Sequence, residues 1–212
     1  DQLACSVGGV LAIDFANPAV PELQRIPFDF TAAGYAVCII DSGADHADLT
    51  DAYAAIPAEM GAVAAAFGQS VLRNVEESAF WDALPQLRLD WGDRAVMRAM
   101  HFFAENDRVL RQAKALSRGD MPAFLAALNQ SGTSSFCWLQ NVSDFSNPAQ
   151  QPVAIALAVC QRLLRGAGGC RVHGGGFAGT VQAFVPLDAL EAFQSGIAHL
   201  LGERRCQVLK LR

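Results

Sequence analysis

One stretch of this sequence combines residue types that can surround a phosphate group with main-chain atoms. Residues 170–180 read CRVHGGGFAGT and hold four glycines within six residues, between two apolar runs. Glycine loses more conformational freedom on folding than any other residue, so such a run is unfavourable unless something must approach the backbone closely. The stretch predicts either a tight strand–turn–strand reversal or a backbone that packs against, or forms part of, a phosphate-binding loop.

Three familiar glycine motifs are excluded by their context. Gly174, Gly176 and Gly179 have the spacing of the dinucleotide-binding fingerprint, but that fingerprint needs a helix to follow, and the strand-like TVQAFVP follows here. A Walker A loop requires a lysine after its last glycine, and none is present. The protein-kinase loop matches through Val181, yet the sequence contains neither HRD nor DFG.

Two other polar groupings could do chemistry. An acidic loop follows an apolar run, and its members are Asp41, Asp45, His46, Asp48 and Asp51. Their spacing fits no calcium loop, so we predict helix capping and solvation there, and no metal site. His101 and Glu105 stand one helical turn apart, which predicts a surface pair.

The elements that must position these residues alternate irregularly between strands and helices. We predict strands at residues 7–15, 24–30, 34–40, 168–172, 180–185 and 205–211. We predict helices at about 48–68, 76–83, 94–118, 120–128, 152–164 and 187–201. Pro57 should kink or divide its helix, Leu110 belongs to the apolar stripe of the long helix, and 129–147 should be turn-rich. Hairpin-like pairs at both ends favour an α+β layer structure over a doubly wound sheet.

Composition limits the classes of function. The 212 residues are 52% apolar and 17% charged, which suits a packed core and argues against disorder. A net charge of −5 argues against a nucleic-acid partner, and no apolar run reaches the ~20 residues of a membrane span. Six scattered cysteines without CxxC favour free thiols and a cytoplasmic location. The opening DQLACSVGG lacks Met and signal-peptide features, so we expect a piece of a longer protein.

The glycine stretch also resembles the third conserved motif of the GHMP small-molecule kinases, most closely the galactokinase form Arg-x-x-Gly-Gly-Gly-Phe-Gly-Gly. HADLTDAYAAIPAEM is similar to the galactokinase segment around a sugar-contacting tyrosine, and the opening Asp-Gln resembles the end of its Met-Asp-Gln motif. SSFCWLQNV and ALAVCQRLL follow in the expected order. Ala178 replaces a usual glycine, His173 replaces a usual small residue, and the Gly-Leu-Ser-Ser-Ser phosphate loop is not in the sequence.

The resemblance implies a role for individual residues. Asp1 would be the catalytic aspartate that faces the sugar hydroxyl, and Tyr53 would hydrogen-bond the sugar. Gly174, Gly175, Gly176 and Gly179 would lie near the phosphate loop. Independently of the resemblance, the position of Arg171 just before the glycines predicts that it anchors the loop by hydrogen bonds. ATP and Mg²⁺ would be held mainly by residues outside this chain.

The resemblance also implies a domain organisation and an activity. Residues 1–30 would be remnant strands of the N-terminal kinase domain, and 31–212 a ferredoxin-like GHMP C-terminal domain. The parent protein would transfer the γ-phosphate of ATP to the anomeric hydroxyl of galactose, and this portion alone would be inactive. It could self-associate through a face that the missing part leaves uncovered. A non-catalytic sugar sensor or regulator is the alternative, and a neighbouring GHMP kinase with another substrate is a third possibility.

Overall fold

The fold begins with a short helix and a hairpin. A computed structural model describes residues 2–43 and 49–210, and for Gln2, Ala4 and Cys5 it describes the backbone only. Helix α1 (Gln2–Val7) leads into strands β1 (Val10–Asp14) and β2 (Glu22–Ile26). These two strands pair antiparallel with each other, separately from the main sheet.

The main sheet has four antiparallel strands. They are β3 (Tyr35–Asp41), β4 (Gly169–Val172), β5 (Thr180–Pro186) and β6 (Cys206–Leu209), in the spatial order β4-β5-β3-β6. β3 pairs along its whole length with β5, from Tyr35 opposite Pro186 to Asp41 opposite Thr180. With helices between β3 and β4 and between β5 and β6, this is the split β-α-β topology of ferredoxin-like domains.

Helices supply the other layers. They are α2 (Thr50–Ala65), α3 (Glu77–Asp82), α4 (Leu84–Ser117), α5 (Met121–Ser134), α6 (Pro152–Leu164) and α7 (Leu190–Leu201). A π-helical turn, Ser135–Leu139, continues directly from α5. We call this segment the π-turn. The fold is therefore α+β, with an antiparallel sheet layered with helices, as the sequence predicts.

Alternation along the central strand divides the core between the two faces of the sheet. Val181, Ala183 and Val185 of β5 pack with α6 and α7, because successive strand residues point to opposite faces. Phe184, between them, packs on the other face in a cluster with Phe30 and Phe124. A third cluster joins α2, α3 and α4 away from the sheet.

Local signals predicted several boundaries well. The proline-initiated helix α6 has the predicted bounds, and the carboxylate of Asp120 caps α5 by accepting a hydrogen bond from Ala123 N at 3.0 Å. Gly119, with φ of 69°, ends α4 as expected.

Other expectations were wrong. Pro57 does not divide α2: the helix runs unbroken through this exposed proline. Turns were predicted from residue 129, but α5 and the π-turn together occupy residues 121–139. Helix α4 begins at Leu84 and breaks at Gly92, where φ is 80° and ψ is 163°, so the helix predicted at 94–118 is the part after the break, and the part before it was not predicted. Leu110 is 71% exposed and is not part of the buried stripe, because the helix turns that face to solvent.

Candidate functional site

The glycines form a turn between two strands. Residues 173–179, which we call the glycine turn, join β4 to β5, and the His173 N–H donates to the Thr180 carbonyl at 2.9 Å. Gly174, Gly176 and Gly179 have φ of 71°, 84° and 86°. L-amino acids with a side chain rarely adopt that region, so glycine suits these positions. The predicted strand–turn–strand conformation is confirmed, and no helix follows the glycines.

Two of the glycines are in close contact with other segments of the chain. A Cβ added to Gly176 would lie 2.0 Å from the Asn141 carbonyl oxygen, and one added to Gly175 would lie 2.8 Å from Tyr53 Cε1. Neither distance is compatible with a side chain. By contrast, a Cβ on Gly174 would meet no atom within 4 Å among the described residues. Because glycine has no side chain at positions 175 and 176, the turn can pack against Tyr53 and Asn141.

Tyr53 reaches the glycine turn from the first turn of α2. Its hydroxyl donates to the Gly176 carbonyl at 2.6 Å, and its ring meets the Phe177 ring edge-on with 5.4 Å between centroids. Burial raises the pKa of the Tyr53 phenol, and a hydrogen bond from the Ala178 backbone opposes that rise. The phenol is therefore integrated into the turn as both donor and acceptor.

Asn141 also contacts the turn directly. Its side-chain Nδ2 donates to the Gly175 carbonyl at 3.0 Å, and its own carbonyl accepts from Phe177 N at 2.5 Å. The π-turn delivers it there: Gln140 adopts φ of 56°, and the Gln140 N–H donates to the Ser135 carbonyl at 2.9 Å. Asn141 is 2% exposed, so this is a core contact.

A buried ionic network lies at the base of the turn, where the sequence predicted a surface pair. His101 is 7% exposed, and its Nδ1 lies 2.9 Å from Ser134 Oγ. Glu105 forms ion pairs with Arg108 at 2.7 Å and with Arg171 at 3.3 Å. The prediction of a surface pair is wrong because α5 packs over this face of α4.

Charge and burial oppose one another in this network. Burial disfavours the Glu105 carboxylate, but hydrogen bonds from Ser131 and Arg108 and the charge of Arg171 outweigh it and lower the Glu105 pKa. Burial lowers the pKa of His101 to about 4. Arg171 also donates to Ser131 Oγ at 2.5 Å, and thereby fastens the strand that enters the turn to α5.

A second buried ion pair ties α2 and α4 to the π-turn. Arg98, whose side chain is 3% exposed, donates to Glu59 Oε2 at 2.8 Å and to the Leu139 carbonyl at 3.1 Å. Glu59 also pairs with Arg94. These contacts hold Leu139, and with it the next residues 140–141, at a defined distance from the helix that carries Tyr53.

The other predicted site residues do not join this cluster. Asp1 lies outside the described residues, as do Asp45, His46 and Asp48 of the acidic loop. Asp41 pairs with Arg205 at 2.6 Å, and Leu49 at the start of α2 makes no side-chain cap hydrogen bond. Within residues 2–43 and 49–210, no group of three or more His, Cys, Asp or Glu residues could hold a metal ion. In the same part of the chain, no helix is long and apolar enough to cross a membrane.

A pocket of about 280 Å³ lies elsewhere, between the β1–β2 hairpin, α4 and the sheet. Its walls are mainly apolar, with Phe30, Leu116 and Phe184 among them. Tyr53 and the glycine turn do not line it.

Sequence reasoning missed Asn141 and the Arg98–Glu59 pair. Asn141 stands in a segment whose polar residues predicted turns, and although it lies in the stretch SSFCWLQNV that carries part of the resemblance, it was assigned no role there. Arg98 and Glu59 are 39 positions apart, so only the packing of α2 on α4 brings them together.

Comparisons with known proteins bear on the same resemblance. No model of a protein family matches the chain. A galactokinase of Glaesserella parasuis serovar 5 (strain SH0165) is 29% identical over 165 residues, which are 78% of this chain and 41% of that protein. A galactokinase of Actinobacillus pleuropneumoniae serotype 3 (strain JL03) is 29% identical over 198 residues, 93% of this chain and 49% of that protein. The chain thus spans less than half the length of these curated relatives.

Solved structures agree in fold. A Lactococcus lactis galactokinase complexed with galactose superposes with a TM-score of 0.74 at 22% identity, over 100% of this chain and 53% of that one. The chain is similar to galactokinases in sequence and in fold. The L. major mevalonate kinase in complex with R-mevalonate superposes with a TM-score of 0.58 at 15% identity, over 98% of this chain and 50% of that one. The chain therefore shares its fold with this galactokinase and this mevalonate kinase, which agrees with the predicted GHMP kinase fold.

Proposed function

We propose that this chain is the C-terminal portion of an ATP-dependent, galactokinase-like sugar kinase. One observation carries the proposal: two motifs matched independently in sequence meet in space. Tyr53, which the resemblance places at the sugar, hydrogen-bonds at 2.6 Å to Gly176, which the resemblance places near the phosphates, across 123 residues of sequence. A kinase needs its acceptor and its phosphoryl donor to be held at a defined separation.

In this proposal the parent protein phosphorylates the anomeric hydroxyl of galactose. Asp1 would orient or accept the proton of that hydroxyl, and Tyr53 would bind the sugar through its ring and its hydroxyl oxygen. ATP would supply the phosphoryl group, and Mg²⁺ would neutralise its charge.

The glycine turn can contribute main-chain contacts but no cation. Gly174 and Gly175 are exposed and Gly174 has open space around it, so a phosphate loop can pack there. The nearby Arg171 is already bound to Glu105, Ser131 and Ser135 in the interior. We therefore propose that the positive charge for the phosphates comes from residues outside this chain. For that reason we expect this chain alone to be inactive.

The test measures galactose 1-phosphate. We expect the full-length parent protein, incubated with galactose, ATP and Mg²⁺, to form it, and the 212-residue chain to form none above a protein-free control. We also expect the parent's coding sequence to encode a Gly-Leu-Ser-Ser-Ser loop. Product from the isolated chain would contradict the expected inactivity.

The alternative is a galactokinase-like sensor or regulator. It predicts that the parent protein binds galactose, measured by calorimetry, without forming product. Failure of both binding and turnover with galactose, but turnover with another small alcohol, would instead favour a neighbouring GHMP activity.

A further inference from the structure

Asn141 holds the glycine turn at two points. Its side-chain Nδ2 binds the Gly175 carbonyl at 3.0 Å, and its main-chain carbonyl binds the Phe177 N–H at 2.5 Å. Gly176 lies between these two bonds and is packed so closely that a Cβ there would be 2.6 Å from Asn141 Nδ2. The position of the Gly176 peptide is consequently set by Asn141.

The same peptide is the one that Tyr53 contacts. The Gly176 carbonyl accepts the Tyr53 hydroxyl, and the next residue, Phe177, packs edge-on against the Tyr53 ring. A movement of Asn141 would therefore move the Gly176 carbonyl and change the hydrogen bond that orients the phenol.

We propose that Asn141 is a positioning residue that locks the glycine turn onto Tyr53, so that the sugar-contacting side chain and the phosphate-facing turn keep one fixed separation. The catalytic consequence rests on the proposed function, whereas the lock itself rests only on contacts within this chain.

Stability alone does not account for an asparagine here. Asn141 Oδ1 is buried and has no hydrogen-bond partner among the described residues. A buried acceptor without a partner is unfavourable, and an apolar residue of similar size would avoid that penalty. The benefit of the amide lies in its other atom, the Nδ2 donor that fixes Gly175.

The test uses Tyr53 as its own probe. The sequence has two tyrosines, Tyr35 and Tyr53, so a Tyr35→Phe chain labelled with carbon-13 at the tyrosine hydroxyl-bearing carbon gives one NMR signal. We expect that signal to titrate above the ordinary phenol value of about 10. Adding Asn141→Leu should shift the signal and lower the Tyr53 pKa toward the ordinary value, because the phenol loses its oriented acceptor and part of its burial.

Asn129 provides a matched control. Its side chain also joins a helix to strand β4, by accepting from Cys170 N at 3.1 Å and donating to the Gly168 carbonyl at 3.4 Å. Asn129→Leu removes similar bonds at the far end of the strand, so it should leave the Tyr53 titration unchanged. A merely structural role for Asn141 would make the two variants behave alike.

Each outcome decides the proposal. An unchanged Tyr53 signal in Asn141→Leu, or an equal shift in Asn129→Leu, overturns it. If Asn141→Leu does not fold, Asn141→Ala, which also lacks the Nδ2 donor, is measured in its place, and an unchanged Tyr53 signal in that variant overturns the proposal. In the full-length parent, Asn141→Leu should raise KM for galactose and for ATP roughly tenfold each, which is the effect expected from the loss of about one hydrogen bond. An inactive parent would contradict the proposed function, but it would not affect the NMR result on the Tyr53 contact.

Discussion

Tyr53 and Asp1 are the residues whose side chains the proposed chemistry needs. In the full-length parent, Asp1→Ala should lower kcat by roughly 10²–10⁴-fold, the usual range for a positioned acid or base. Tyr53→Phe keeps the ring against Phe177 but loses the hydroxyl bonded to Gly176, so it should mainly raise KM for the sugar, roughly tenfold. Steady-state kinetics with galactose measure both effects, and unchanged kcat in Asp1→Ala would remove Asp1 from the mechanism.

His101 should make stability depend on pH. Burial lowers its pKa to about 4; Glu105 opposes the shift, and Arg108 and Arg171 add to it. The folded imidazole thus stays neutral while the unfolded one gains a proton below about pH 6.5. The free energy of unfolding should fall as pH drops from 6.5 toward 4, by at most on the order of 3 kcal/mol.

Urea unfolding at pH 7 and pH 5 measures this loss. His173 also has a pKa lowered by burial and by Arg171, so the protein must be compared with a variant. His101→Gln should lose less stability between the two pH values than the native chain. Equal losses in the two proteins would show that His101 does not carry the pH dependence.

At the scale of elements, two alanine substitutions in the glycine turn distinguish steric overlap with Asn141 from backbone strain at positive φ. Gly176→Ala adds a Cβ 2.0 Å from the Asn141 carbonyl at φ of 84°, so it should destabilise the protein by about 3 kcal/mol or more. Gly174→Ala meets the same kind of backbone strain at φ of 71° but open space, so it should cost about 1 kcal/mol. Chemical denaturation measures the difference, and equal losses would mean that packing on Asn141 is not the constraint.

The π-turn is the element that the sequence did not predict. It places Asn141 against the turn because Arg98 binds the Leu139 carbonyl and Gln140 adopts a left-handed conformation. The first feature depends on α4 lying beside the segment. A window of sequence around 135–141 does not contain Arg98, so propensity alone favoured an irregular turn.

At the scale of the whole molecule, Phe30 joins the N-terminal hairpin to the main sheet. Its ring lies 4.9 Å from that of Phe184 and 5.6 Å from that of Phe124, and Ile26 shares the same core cluster. The domain boundary predicted between residues 30 and 31 stays a prediction, but apolar contacts cross it.

Phe30→Ala should therefore destabilise the chain by about 3–5 kcal/mol and expose the hairpin amides. A two-stranded hairpin is marginal by itself, so β1 and β2 should exchange their amide hydrogens sooner than β5 does. Hydrogen exchange read by mass spectrometry measures this, with the exposed Phe145→Ala as the control. Hairpin protection equal to that of the native chain would show that the hairpin is held by other contacts.

The sequence by itself determined the features that depend on neighbouring residues. Helix α6, the Asp120 cap, the Gly119 stop and the turn between β4 and β5 all follow from local backbone preferences of Pro, Asp and Gly. These preferences act within a few residues, and no distant partner opposes them here.

Tertiary structure alone decided what each of these features contacts. The sequence predicted that something approaches the glycines closely, but only folding shows that Asn141 and Tyr53 do so. Likewise, only the packing of α5 on α4 turns His101 and Glu105 from an expected surface pair into a buried network with Arg171. Burial and pairing between residues tens of positions apart depend on how helices pack, and spacing along one helix carries no information about its neighbour.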